Sequence, residues 1–143
     1  MRAKEFFQQV RRAEHSLKLI RAKAAHYEEI GLSISAPAGR IGSGSRGTSR
    51  VETAAIGNVD ALADLEKQKR ECMAIIARAE KIIGRMPHEK YRQILTYRYL
   101  CGWSFRSISD ELGYNDPNSV YRSHGWALVE AQKIMNGGNQ NDL

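Results

Sequence analysis

Apolar residues recur along the first part of the chain with the alternating three-and-four spacing of a helix that buries one stripe. Phe6, Val10, Ala13, Leu17, Ile20, Ala24 and Tyr27 make up that stripe, and no Gly or Pro interrupts it before Gly31. The spacing predicts a long helix whose seam another helix must cover. At about 1.5 Å per residue its length is roughly 40 Å. A second stripe runs through Leu62, Leu65, Lys69, Cys72, Ile76, Ala79 and Ile83, with Lys69 as its polar break, and predicts a helix over about 51–83. The simplest arrangement is an antiparallel hairpin over residues 1–85, each helix covering the other's stripe. Residues 31–50 between them read GLSISAPAGRIGSGSRGTSR. Gly, Ser and Arg without periodicity predict a flexible basic loop.

Beyond the hairpin the pattern shortens. Gly84 is expected to end the second long helix, and Pro87 to open the next at its first helical position, running to about Leu100. Gly102 breaks that helix, and Ser104 can cap another ending near Leu112. Gly113 suits the left-handed residue after a helix. Asp116-Pro117 reads as a cap and first helical residue, starting a last helix through about Met135. Residues 137–143 form a polar tail expected to be disordered. No stretch reads as a strand. The expected fold is all-α: a long antiparallel helical hairpin followed by a three-helix unit at 86–136. Ile94, Leu95, Leu100, Ile108, Leu112, Val120, Ala127 and Leu128 are expected to form one small core for that unit.

The tight turn Gly113-Tyr114-Asn115 between two short helices is the arrangement of a helix-turn-helix, whose second helix enters the DNA major groove. With Val120, Ala127 and Leu128 turned inward, Asn118, Ser119, Tyr121 and Arg122 fall near the outward N-terminal face as candidate base-reading residues. Asn pairs with adenine and Arg with guanine through two hydrogen bonds each. Ser104, Arg106, Arg40, Arg46 and Arg50 are candidate phosphate contacts. For the three loop arginines, the alternative is a plain soluble linker.

The stretch MPHEKYRQILTYRYLCGWSFRSISDELGYNDPNSVYRSHGWAL resembles region four of bacterial RNA polymerase sigma factors over about residues 86–130. The resemblance rests on the Pro-initiated helix, Ile94-Leu95, Arg98-Tyr99-Leu100, the Gly102-to-Ser104 step, Ile108, Leu112-Gly113, Ser119-Val120 and Ala127-Leu128. It implies base reading at Asn118, Tyr121 and Arg122. Sigma factors usually carry more Arg or Lys in this helix, where the chain has Tyr121 and Trp126. The whole layout is similar to small phage and prophage regulators of the RinA-like and ArpU-like kind. These end in a stretch like Tyr121-Arg122-Ser123-His124-Gly125-Trp126-Ala127-Leu128. That resemblance implies a regulator of phage or prophage transcription, an activator of late genes working with host RNA polymerase in the bacterial cytoplasm.

Composition adjusts this picture. The chain carries 22 Lys and Arg against 16 Asp and Glu, a net +6, which favours an anionic partner. The excess is concentrated in residues 1–50, with ten basic and four acidic side chains, whereas residues 87–143 hold six of each. Cys72 and Cys101 fall in apolar helical patterns, as reduced thiols in an intracellular protein do. No apolar run is long enough for a membrane span. The four histidines show no metal-ligand spacing, and His124 reads as a partly buried, hydrogen-bonded side chain. Gly42-x-Gly44-x-x-Gly47 lacks the preceding strand and the acidic partner of a dinucleotide site. No nucleophile–base set stands out, so neither an enzyme nor a cofactor is expected. Trp126 suits packing against the first helices as well as a DNA backbone. Gly125 costs the helix about 1 kcal/mol relative to Ala and calls for close packing or close DNA approach. Double-stranded DNA is the expected partner. Two other readings stay open: a packaging protein that recognises phage DNA as small terminase subunits do, and a helical interaction protein that never touches DNA.

Overall fold

The computed structural model describes the backbone of residues 1–35 and 45–138 and the side chains of 1–31 and 59–137. It is all-helical, with no strand among the described residues. The elements are α1 (Ala3–Ser35), α2 (Ser45–Gly84), α3 (Glu89–Leu95) running into a π-helical turn (Thr96–Leu100), α4 (Phe105–Leu112) and α5 (Pro117–Gly138). Among the described residues, no helix is long and apolar enough to cross a membrane.

The chain groups into two compact units, one of Met1–His15 with Cys72–Leu143 and one of Ser16–Glu71. In the first, Phe6, Phe7 and Val10 of α1 meet Ala79, Ile82, Ile83 and Met86 at the end of α2, all of them buried. Leu95 and Tyr99 from α3 and its π turn, and Ala127, Ala131 and Met135 from α5, complete the same cluster. The backbone N–H of Ala3 donates to the Gln132 side-chain oxygen at 2.5 Å, tying the start of α1 to α5. The start of α1 therefore packs against the end of α2, as an antiparallel pairing requires. In the second unit Leu17, Ile20 and Leu65 are buried, and Ala24, Tyr27, Leu62 and Lys69 are half-buried. The seam spacing accounts for nearly all of these positions. It did not mark Ala3, Phe7, Ile82 or Met86, which are buried because three helices rather than one face the base of the hairpin.

Several expectations change. The expected boundary between residues 85 and 86 does not separate two cores. Leu95 and Ala127 are buried in the large cluster, with Leu100 and Leu128 packed against it, while Ile94, Ile108 and Val120 form a smaller one with Leu112. The eight residues expected to share a core thus divide between two, because α3 and α5 each present apolar residues on two sides. The loop expected at 31–50 is shorter: α1 continues to Ser35 and α2 starts at Ser45. A glycine costs a helix only about 1 kcal/mol, so Gly31 and Gly47 do not suffice to end helices already nucleated alongside. Residues 36–44 lie outside the described residues. So do 139–143 of the expected tail, while α5 itself runs on to Gly138.

Pro87 does not take the first helical position. The cap is His88, at φ −90° and ψ 115°, and α3 begins at Glu89. A tertiary contact fixes this start: the Glu130 carboxylate of α5 accepts the His88 backbone N–H at 3.4 Å and lies 2.7 Å from His88 Nδ1. The helix expected to run to Leu100 changes character at Thr96, where the bonds widen to Cys101 N–H donating to the Thr96 carbonyl at 3.0 Å. Gly102, at φ 74°, then turns the chain. Cys101 is a free thiol, exposed just past the π turn rather than set in an apolar helical stripe.

Candidate nucleic-acid interface

The α4–α5 pair is built by its local signals. Ser104 adopts an extended conformation (φ −71°, ψ 155°), and its hydroxyl accepts the Ser107 N–H at 3.1 Å, capping α4. Gly113 ends α4 in the left-handed conformation, φ 74° and ψ 27°, which a side chain would strain. The Tyr114 N–H then donates to the Ser109 carbonyl at 3.0 Å, closing the turn. Asp116 accepts the Ser119 N–H at 3.0 Å and caps α5 ahead of Pro117. The turn is braced from inside: the Ser109 hydroxyl donates to the Tyr114 carbonyl, and the Tyr114 hydroxyl to Ser123 Oγ at 3.2 Å. Lys90 Nζ lies 5.1 Å from the Tyr114 ring centre, a contact from α3 onto the turn.

Ile108 and Val120 face each other with no exposed surface, together with Ile94. This leaves Asn118 and Arg122 exposed and Ser119 half-buried at the start of α5. Tyr121 is 55% exposed, but its ring leans on Phe105 of α4 with centres 4.2 Å apart. Arg98, from the π turn, places its guanidinium 4.1 Å from the Phe105 ring centre and donates to the Trp103 carbonyl at 3.0 Å. Trp103 in turn stacks on Tyr97 at 4.3 Å. Tyr121 is thus an outward side chain held by an aromatic layer rather than a free reader. Ser104 and Arg106 are exposed on α4. Arg40 lies outside the described residues. Arg46 and Arg50 fall on the first turns of α2, and their side chains also lie outside what is described. The structure therefore brings Asn118, Tyr121 and Arg122 together on one helix, near α4, and does not place the three arginines.

Under this surface sits a polar pair that the sequence flagged only in part. The Tyr99 hydroxyl lies 2.6 Å from His124 Nε2, the rings roughly parallel at 5.6 Å. Phe105 meets His124 edge-on at 5.0 Å. Burial pushes the His124 imidazole from its ordinary 6.5 down to about 4, and the nearby Arg98 and Lys4 cations add to that shift. Burial likewise raises the Tyr99 phenol, so at neutral pH both rings are uncharged. The Arg98 guanidinium is lowered by burial and by Arg11 but stays a cation, as arginine does throughout the accessible range.

Sequence reasoning missed Phe105, and took Arg98 and Tyr99 only as part of the family pattern, with no role at this surface. Tyr99 falls four residues after Leu95 and so on the inner stripe of α3, a signal that was available. The π turn that places Arg98 over Phe105 has no such signature. The structure bears on two questions that the sequence leaves open about α5. A methyl group at Gly125 would meet no heavy atom within 4 Å, so close packing inside the chain does not explain this glycine. Trp126 is 57% exposed and borders a shallow groove with Pro87, His88, Tyr91, Val129 and Lys133. No family model, curated protein or solved structure matches the chain.

Proposed function

We propose that the protein binds double-stranded DNA in a sequence-specific way, with α4 and α5 as a helix-turn-helix and α5 as the recognition helix. The observation that supports this best is the capped, glycine-turned α4–α5 pair, whose inner residues Ile108 and Val120 are buried while Asn118 and Arg122 stand exposed at the start of α5. Those two residue types have the hydrogen-bonding geometry to read base edges, and Tyr121, leaning on Phe105, offers a fixed apolar face for a thymine methyl or a sugar. The exposed Ser104 and Arg106 on α4 are suited to phosphate, as helices that cross the backbone are in this motif. By resemblance to sigma region four and to phage regulators, the role is activation of phage or prophage genes together with RNA polymerase. The protein is not an enzyme on this reading.

Selection of bound duplexes from a random pool tests the proposal, followed by titration at several salt concentrations. An enriched motif with a salt-dependent affinity is the expected outcome. A protein with no affinity for any duplex would instead be the helical interaction protein. That second reading draws on one observation: the segment 87–143 is charge-balanced and exposes Trp126 and Val129.

A further inference from the structure

The start of α1 lies in the same compact unit as α3, α4 and α5 and brings positive charge that those helices lack. Residues 87–143 hold six basic and six acidic side chains, whereas residues 1–15 hold four basic and two acidic. Two neighbouring rings show where that charge sits. Phe6 faces α2, with the Arg78 guanidinium 5.0 Å from its ring centre. Phe7 faces the π turn, its ring centre 5.2 Å from that of Tyr99. Lys4 and Arg11 stand three residues before and four after Phe7, so they share its side of the helix. Both are exposed.

This side of α1 runs along α5. Ala3 is bonded to Gln132, and one turn later Phe7 reaches Tyr99, whose hydroxyl meets His124. Moving forward along α1 therefore moves back along α5, towards Asn118 and Arg122. Burial lowers the pKa of His124 and of Arg98, and the cations of α1 add to it, Lys4 at His124 and Arg11 at Arg98. Arg98 itself lies over Phe105, on which Tyr121 leans. Lys4, Arg11 and Arg98 thus form a positive strip beside the recognition helix. Among the described residues no ion pair joins any of the three to a carboxylate, and Glu14, one turn past Arg11, makes none. Like charges near one another without a counter-ion repel, and an anion laid across them removes that cost. The strip is long: seven residues separate Lys4 from Arg11, about 10 Å of helix. That exceeds one small anion and matches about three phosphates of a DNA strand, at roughly 3.4 Å each.

Resting on the reading of α5 as a recognition helix, we propose that Lys4 and Arg11 of α1, with Arg98 of the π turn, grip the DNA phosphate backbone beside the site that α5 reads. The test uses the full-length chain, the selected duplex and an unrelated duplex, with affinity measured across a salt series. In the chain carrying Lys4→Gln and Arg11→Gln, glutamine keeps the helix propensity of the residues it replaces. Circular dichroism and melting temperature should therefore match the wild type. This double variant should bind both duplexes roughly tenfold more weakly at low salt. Its slope of log affinity against log salt should be shallower by about 1.8, the value for two phosphates. Its preference among bases should not change. Arg12→Gln with Lys81→Gln removes the same charge from exposed positions outside the strip and should leave the slope at the wild-type value. Equal slopes for the wild type and the Lys4 and Arg11 variant would overturn the proposal while leaving base reading by α5 intact. Equal losses in the two double variants would overturn it too, by making the effect one of net charge. A wild type without affinity for either duplex would overturn the DNA reading as well.

Discussion

The two apolar clusters of the first unit differ in how they are assembled. The larger draws Ala3, Phe6 and Phe7 from one end of the chain, Ile82 and Met86 from the middle and Ala131 and Met135 from the other end. The smaller joins Ile94, Ile108 and Val120 from one continuous stretch. The first is a matter of long-range closure and ties both ends of the chain into the unit. The second sets α5 against α4, and with it the outward aim of Asn118 and Arg122. The lesson is that the base of the hairpin is part of the scaffold of the candidate DNA-binding motif, not a separate domain attached to it.

The strongest way to break this comparison is at Phe7, which has no exposed surface and meets Phe6 and Tyr99 with ring centres 5.2 Å away. Phe7→Ala should cost about 4 kcal/mol in urea unfolding and should melt α5 together with α1, although the two helices lie at opposite ends of the chain. Ile108→Ala, in the smaller cluster, should cost about 3 kcal/mol, with a loss of DNA affinity larger than that of an equally destabilised Phe7 variant. Equal effects on binding at matched stability would erase the distinction between the clusters.

The Tyr99–His124 pair connects the two clusters and gives a pH dependence of definite sign. The folded imidazole titrates near 4 and the unfolded one near 6.5, so the unfolded chain takes up the proton first. The stability contributed by the neutral ring is complete above pH 6.5, falls as the pH drops, and is exhausted below about 4. The loss across that window should be on the order of 2 kcal/mol. Melting curves of the wild type and His124→Gln should therefore converge as the pH is lowered from 7 to 4. Parallel curves would show that His124 is as free to charge in the folded chain as in the unfolded one.

The smallest effect is expected at Gly125. Alanine there meets nothing within 4 Å, so Gly125→Ala should raise stability by about 1 kcal/mol through helix propensity alone. If α5 lies in the major groove, the same variant should bind the selected DNA several-fold more weakly, because the added methyl projects from the outer face. A more stable protein with unchanged affinity would move the DNA away from Gly125.

Much of this was legible in the chain because the signals were local. Ser104, Gly113 and Asp116 each act within a few residues, and their caps and turn occur where the residue types placed them. The α1 stripe was equally readable, since Phe6, Val10, Ala13, Leu17 and Ile20 need only a helical period. What failed depended on distant partners. Pro87 lost the first helical position to a contact with Glu130, and Leu95 and Ala127 joined a core whose other members lie at the chain's beginning. The helical extensions at 31–35 and 45–50 went unread because Gly and Ser signal a break more strongly than their actual cost justifies. The role of Phe105 depends on a π turn, a change of register that residue periodicity does not announce.

Arg122 tests the central claim most directly. It is exposed on the outer face of α5. Binding of Arg122→Ala should be measured against the selected duplex and against every single-base variant of it. The account predicts a loss of roughly 1–3 kcal/mol confined to one base position, where discrimination between bases disappears, with the preferences at all other positions unchanged. A uniform loss across all duplexes would place Arg122 on phosphate, and an affinity equal to that of the wild type would contradict the assignment of α5 as the recognition helix.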